Sequence, residues 1–583
     1  MFFILSVIIG VLGALPYFFT KHATNKGAVV LVLAIVYSLL NLFLIYTNLP
    51  HTASPLLGGF SVLIFLCWSL TAAISFSMSK ERTHAIWFPA LVAILWIVVA
   101  VSGSEIFNAS KYASLIGKIN DKTEKHWSQE IQPIDQNHIR LVPEELAISL
   151  AKTVLSQDGS TLGSQYPLAT RFITLQKIKN EYWYIIPLDF NSYNVWTKSN
   201  GVPAYVKVSA TDPYAKPILV NNKKLVYTPE AYFGKNLERH IYWKYINYRL
   251  TDFSFEEDDN SNVYWVITVM KPSIAYWGDV IEGVVLINPE NGEDEFVSWE
   301  KLKDKKYAWI DRVVPKTLVQ EYINYWGNLK DGWWNSVWSN INLLASETPT
   351  MNYSNSGKCI FVSPVTSTNQ SDESMTGLMY TDANTGKFTY YTTSGGATEQ
   401  AIINAVNSMI AYKQYHASEQ IVYENIYGKL SALVPVLGSN GNYQGLAIIQ
   451  TDNKRLAFGT SPQDALTEYQ KIVMSAGGQI TTENTKELNE FKGKVDRIGW
   501  DISTNGKQYY LYFKEFSNSF IVNSNIQSEL ALTKEGDEVL IKYINSKQSC
   551  VPTISFKNIT LNLIVSENQK SVIKQMENEK TGK

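Results

Sequence analysis

The 583-residue sequence predicts a transmembrane bundle of about four helices joined to an α+β soluble region of repeated helix-on-antiparallel-sheet modules, ending in a small β-barrel. Three observations predict it. Apolar runs without Asp, Glu, Lys or Arg fill most of the first hundred residues, strand endings of one pattern recur downstream, and the region from 490 to 565 reads as short strands almost throughout.

The apolar runs cover residues 2–19, 29–48, 57–78 and 85–101. Each is close to the roughly 20 residues that cross about 30 Å of hydrocarbon at about 1.5 Å per residue. A charge at the centre of such a run is costly in lipid, so its absence from all of them favours spanning over burial in a soluble core. Pro16 and Pro89 are tolerated as kinks inside a bundle. The first run begins at Met1 with no basic stretch before it and no small-residue cleavage pattern, so it is expected to stay in the protein. Lys21 and Lys26 lie between the first two runs, Lys80 and Arg82 between the last two, and residues 49–55 carry no Lys or Arg. Basic loops stay cytoplasmic. Everything after residue 101 is therefore expected outside the cytoplasm.

Composition narrows the function classes. The 51 basic residues against 53 acidic ones create no field that would collect nucleic acid, so none is expected as a partner. The bilayer is one expected partner. With three cysteines in the whole chain, a disulfide-dense ectodomain is excluded, and Cys359 and Cys550 are expected as free thiols.

After a polar linker at 105–140, helix-then-strand units follow at 141–225, 226–345 and 346–480, the last holding two. Their strand endings read AYVKVSATDPY from Ala204, GVVLINPENGE from Gly283, GLMYTDANTGK from Gly377 and GLAIIQTDNKR from Gly445. In each, a β-prone run enters a turn rich in Asp, Asn, Pro or Gly, the chemistry of a hairpin. Helices are expected from Pro143, from Thr228 (N-cap) with Pro229 at the first helical position, from Ala397, and from Ser461, where Asp464 completes a near capping box. The stretches Gly283 to Gly292 and Gly377 to Gly386 resemble the strand ending and Asp-x-x-Thr/Asn-Gly turn of PepSY-type, cystatin-like modules of bacterial envelope proteins. That resemblance implies one helix packed on a curled antiparallel sheet in each unit. It extends over residues 141–473, and the first and fourth units depart from it by lacking the closing glycine.

Residues 490–565 are expected to form a five- or six-stranded barrel resembling an OB fold, followed by a polar tail at 566–583.

Chemistry is sparse. The seven histidines show no metal-ligand spacing, no phosphate-binding, dinucleotide-binding or nucleophile-elbow motif is present, and no metal or cofactor is implied. The acidic run Glu256, Glu257, Asp258, Asp259 reads as a solvated loop rather than an acid-base pair or a Ca²⁺ site. Gly395 to Glu399 opens a helix whose amides could hold an anion, with Thr398 or Thr393 as the ordinary cap. Aromatic density is the unusual feature: Tyr322, Tyr325, Trp326, Trp333, Trp334 and Trp338 lie close together, and Tyr242, Trp243, Tyr245 and Tyr248 sit on the expected second helix. Packing between modules is the first reading of this cluster, and a recognition surface at Trp326, Trp333, Trp334 and Trp338 the second. The expected function is a non-enzymatic membrane-anchored envelope protein whose modules bind protein partners, copies of itself included. The alternative is a cell-wall carbohydrate-binding protein or hydrolase using those tryptophans with an acid at Asp311 or Asp331.

Overall fold

In lipid the peptide groups of an apolar run must bond to one another, which makes each run a helix. The computed structural model describes residues 1–20, 25–54, 59–79, 84–131, 133–134, 138–156, 162–354, 357–368, 374–475, 488–503, 506–523, 528–544 and 550–561. Among them are four helices long and apolar enough to cross a membrane, at Phe2–Phe19, Lys26–Asn48, Phe60–Met78 and His84–Gly103. The first comprises α1 (Phe2–Ala14) and a 3-10 turn that Pro16 opens; α2 (Lys26–Asn48), α3 (Phe60–Ser79) and α4 (Trp87–Gly103) follow. Small residues let the backbones approach: a Cβ at Gly10 would collide with Ser38, and one at Gly13 with Cys67. Polar bonds cross between helices, from Thr71 Oγ1 to the Gly13 carbonyl (2.9 Å) and from Trp68 Nε1 to that of Leu12 (2.9 Å). Lys21, Lys80 and Arg82 lie outside the described residues.

The chain divides into two compact units, one of residues 1–423, 434–444 and 451–453, the other of 424–433, 445–450 and 454–583. In the first, the stretch expected as linker carries α5 (Glu105–Ser114), strand β1 (Asn120–Lys122) and α6 (Glu124–Glu130). Next, α7 (Glu144–Leu155) packs on an antiparallel sheet of β2 (Thr174–Ile178), β3 (Glu181–Pro187), β4 (Tyr205–Ser209) and β5 (Ile218–Val220). The short helices α8 (Leu162–Gln165) and α9 (Tyr193–Lys198) join these parts.

The long helix expected from Thr228 is absent. Only α10 (Leu237–Ile241) forms, capped by the Asn236 side chain accepting from Arg239 N at 3.1 Å. Phe233 takes a left-handed φ of 53°, which breaks the helical run, and Thr228 Oγ1 donates to Asp189 (2.5 Å) instead of capping. An antiparallel sheet follows: β6 (Arg249–Glu257), β7 (Val263–Ile274), β8 (Trp277–Ile287) and β9 (Asp294–Ser298).

A helix the sequence reading did not assign, α11 (Lys316–Leu329), opens the next group and packs against β10 (Leu344–Ser346). With β11 (Thr350–Tyr353), β12 (Cys359–Ser367), β13 (Ser374–Asp382) and β14 (Phe388–Ala397) this strand forms an antiparallel sheet, to which β1 adds in parallel along β14. Helix α12 (Glu399–Ile410) then packs against β15 (Tyr415–Ala417). This fourth sheet, of five strands, also holds β16 (Val422–Ile426), β17 (Lys429–Gly438), β18 (Tyr443–Gln450) and β19 (Leu456–Gly459).

In the second unit α13 (Pro462–Ser475) packs on β19, with Ser461 Oγ accepting from Asp464 N (3.1 Å) as the capping pattern predicts. Six strands follow: β20 (Leu488–Lys494), β21 (Arg497–Ser503), β22 (Gly506–Tyr512), β23 (Ser519–Asn523), β24 (Glu538–Ile544) and β25 (Cys550–Asn558). Their order is β20-β24-β25-β23-β22-β21, with β23 and β25 parallel, around a core that includes Phe513, Phe520, Ile541 and Phe556. Among the described residues no pairing joins β20 to β21, so a closed barrel is not found. The tail beyond residue 561 lies outside the described residues.

Three of the four strand endings share one geometry. Gly283, Gly377 and Gly445 each sit where a Cβ would strike a backbone oxygen of the neighbouring strand, that of Val297, Tyr391 or Gly459. Five residues later each strand enters a turn of one construction. Gly292 N bonds Asn288 O (2.9 Å), Gly386 N bonds Asp382 O (2.9 Å), and Lys454 N bonds Gln450 O (3.0 Å). The closing residue is left-handed in all three, with φ of 80°, 63° and 56°. Lys454 thus takes the backbone conformation that glycine takes in the other two endings.

Candidate functional site

The acidic run Glu256 to Asp259 is a solvated loop only in its second half. Glu256 and Glu257 end β6, while Asp258 and Asp259 lie in the turn that follows, half-buried and exposed. Glu256 and Glu257 are buried. Glu257 bonds Lys207 Nζ (3.0 Å) and the Tyr205 hydroxyl (2.6 Å) from β4, and Glu256 accepts from Ser254 Oγ (2.6 Å). Burial, reinforced by Asp311, pushes the Glu256 carboxyl up to about 8. The Glu257 bonds join the β2–β5 sheet to the β6–β9 sheet.

Asp258 and Asp259 instead reach a cavity of about 860 Å³. Asp258 holds the β6–β7 turn by accepting from Asn260 N and Asn262 N, both at 2.8 Å. It is also lined by Glu293 of the β8–β9 turn, by Asp294 and Glu295 at the start of β9, and by Tyr264, Tyr307 and Trp309. Five carboxylates face two lysines, Lys305 and Lys306. Hydrogen bonds from Tyr307 (2.5 Å) and Lys306 (3.0 Å) hold Glu295 below the usual carboxylate range. Burial alone would raise Asp294, but bonds from Lys244 and Tyr245 outweigh it and hold that group below the ordinary value too. Both are therefore ionised at neutral pH. Among the described residues no group of three or more His, Cys, Asp or Glu side chains is placed to hold a metal ion.

Lys244 and Tyr245 belong to the segment that seats this sheet on the helix ends. Tyr242 donates to the Pro50 carbonyl (2.6 Å), Arg239 Nε to Tyr46 O (3.2 Å) and Arg249 Nη2 to Ala53 O (3.1 Å). Thr52 Oγ1 meets Asn247 Oδ1 at 2.7 Å. Trp243 packs against Phe2 (4.7 Å between centroids) and into the cluster of Ile9, Ile45 and Leu63 from three spanning helices. The tyrosines and tryptophan expected on a long helix thus form a dock, and one wall of the cavity is tied to it through Asp294.

The four tryptophans expected as a recognition surface divide between packing and exposure. Trp326 packs edge-on to Tyr390 (5.5 Å) with Lys330 over its ring, and Trp333 joins a cluster with Tyr112, Ile274 and Leu329. Trp334 and Trp338 are 65% and 79% exposed. None of the four lines the acidic cavity. Asp311 is taken up internally, accepting from Lys177 N (2.6 Å) and Tyr353 Oη (2.8 Å), while Asp331 is exposed beside the aromatic turn. His240 Nε2 meets the Gly292 carbonyl at 2.7 Å, a turn-holding contact.

The sequence reading missed a second charged cluster. Glu144, Lys316 and Glu399 are the first residues of α7, α11 and α12. Glu399 N donates to Glu347 Oε2 (3.0 Å), and Thr398 Oγ1 accepts from Ala401 N (3.3 Å), so a carboxylate of the chain itself and the ordinary cap occupy that helix start. Burial and Glu347 push Glu399 up to about 8, whereas burial lowers Lys316. Helix-start carboxylates are common, so only their convergence in space could have marked them. Cys359 is a free, buried thiol, and burial raises it; the side chain of Cys550 lies outside the described residues.

No family model matches the chain, and no curated protein does. Among solved structures it is similar to a crystal structure of a protein of unknown function from Dyadobacter fermentans DSM 18053, at 11% identity over 67% of this chain and 93% of the other, with a TM-score of 0.19. A likeness at that score carries no argument.

Proposed function

We propose that this is a non-enzymatic, membrane-anchored envelope protein whose PepSY-like modules, outside the cytoplasm, bind or assemble with protein partners while the helices anchor and couple them. The bilayer and a partner carrying a basic segment are its two ligands, and the C-terminal strands serve as an OB-like module. The observation that carries the reading is the segment 239–249. It grips three spanning helices through Trp243, Tyr242 and Arg239, and through Lys244 and Tyr245 it holds Asp294 in the wall of the acidic cavity. Occupancy of the cavity by a cation weakens the hold of Lys244 on Asp294, giving a short physical route to the helix ends. Basic loops stay cytoplasmic, and this rule supports the outward placement.

Charge reversal at two exposed carboxylates, Asp259→Lys with Glu293→Lys, tests the partner reading. Full-length protein solubilised in detergent should retain a defined partner that the double variant loses, as read by quantitative mass spectrometry. An unchanged set of retained proteins would overturn it.

A second reading is wall carbohydrate binding in the same cavity, favoured by Trp309 and Tyr264 lying 5.3 Å apart beside the carboxylates. Quenching of Trp309 fluorescence by soluble wall oligosaccharides, lost in Trp309→Phe, would select it.

A further inference from the structure

We infer that the turn carrying Trp334 and Trp338 is a membrane-interface anchor that sits in the headgroup layer of the bilayer α4 crosses. The inference rests on the membrane-spanning reading above. From Gly332 to Ser346 the chain has no charged residue, although Lys330, Asp331 and Glu347 bracket it. Over Asn335–Ser339 it forms one π-helical turn. The Asn335 side chain clamps this turn by donating to Ile341 O (2.8 Å) and accepting from Ile341 N (3.2 Å), while Asn340 and Asn342 hold left-handed φ angles of 53° and 54°. A backbone fixed in this way keeps Trp334, Val337, Trp338 and Ile341 exposed together. In water four such side chains on one turn are unfavourable, and they mark a binding surface.

Position identifies the occupant. The base of the turn, Trp333, packs in one cluster with Tyr112 and Ala109 of α5 and with Trp277 at the β7–β8 tip. Tyr112 donates to the carbonyl of Gly103, the last residue of α4 (2.6 Å), and a Cβ at Gly103 would collide with Trp277. The turn is therefore fastened to the point where α4 ends. The exposed apolar face of α4, including Val98 and Val101, continues through Ile106 and Phe107 on α5, where Phe107 is 69% exposed. Tryptophan, with an apolar body and a polar N–H, is the side chain suited to that depth, which favours lipid over a protein partner.

Full-length protein in nanodiscs of phosphatidylethanolamine and phosphatidylglycerol, spin-labelled singly after Trp338→Cys or Val337→Cys, tests this. Collision with oxygen, which dissolves in lipid, is compared with collision with a water-soluble nickel chelate. Leu95→Cys on the exposed face of α4 and Tyr214→Cys, 76% exposed, serve as lipid and water references. Both turn labels should give an oxygen-to-nickel ratio severalfold above that at Tyr214 and below that at Leu95. Ratios equal to that at Tyr214, with Leu95 in lipid, overturn the anchor alone. A water-like value at Leu95 overturns the spanning reading and the anchor with it. Shielding of the turn labels from both agents overturns the anchor in favour of a protein contact, a second copy included.

Discussion

Glu256 and Glu257 are adjacent on β6 and buried alike, yet only Glu257 is met by a lysine. Glu256 Oε2 has no partner, and its carboxyl titrates near 8 rather than at 4.5. The folded state therefore holds a proton that the unfolded chain has lost between about pH 4.5 and 8, so stability falls as pH rises through that window. Glu256→Gln removes this term. The melting temperature of the variant in detergent should gain on that of the parent from about pH 5 to about pH 8 and level off above it, and parallel profiles would show that Glu256 is not buried as a neutral acid. Removing the partner of the neighbour has the opposite effect. Lys207→Met leaves the Glu257 carboxylate uncompensated, and a loss of about 3 kcal/mol is expected in denaturant unfolding. The sequence displayed four acidic residues in a row but neither Lys207 nor the sheet around them, because burial and long-range pairing leave no mark on local composition.

At the scale of elements, close approach explains why glycine recurs. A Cβ at Gly386 would meet Trp299 and Val314 at an ordinary contact distance of 3.7 Å, but φ there is 63°, so Gly386→Ala should cost about 1 to 2 kcal/mol of stability through backbone strain alone. Gly377→Ala brings a methyl against the Tyr391 carbonyl and should cost more in the same thermal melts. Equal, negligible effects would remove the physical basis of the repeat. These endings were legible in the sequence because each needs a particular residue at a fixed distance, as were the spanning helices, where a charge would be costly. The segment 228–250 was not legible as a dock: its aromatic residues mimic a helical stripe, but they are spaced to meet Pro50, Tyr46 and the α1–α3 cluster. The same abundance of aromatic residues hid α11 among them. Within the dock, Trp243→Ala should loosen its contact with the helix ends. Hydrogen exchange at the Thr52 amide, which donates to Ile246 O at 3.0 Å, should accelerate without loss of protection in β7, whereas unchanged exchange would place the grip elsewhere.

For the whole molecule, four apolar helices bring residue 1, loop 49–54 and the end of α4 to one end of the bundle, where Phe2, Thr52 and Gly103 all touch the soluble region. The account stands or falls on which side of the membrane that end faces. In a Cys550→Ser background, where Cys67 and Cys359 are buried, a membrane-impermeant maleimide applied to intact spheroplasts reads it directly. Tyr214→Cys in the soluble region should label in intact spheroplasts, and Lys26→Cys at the opposite end of the bundle only after lysis; labelling of Lys26→Cys in intact spheroplasts with Tyr214→Cys protected until lysis would contradict the account.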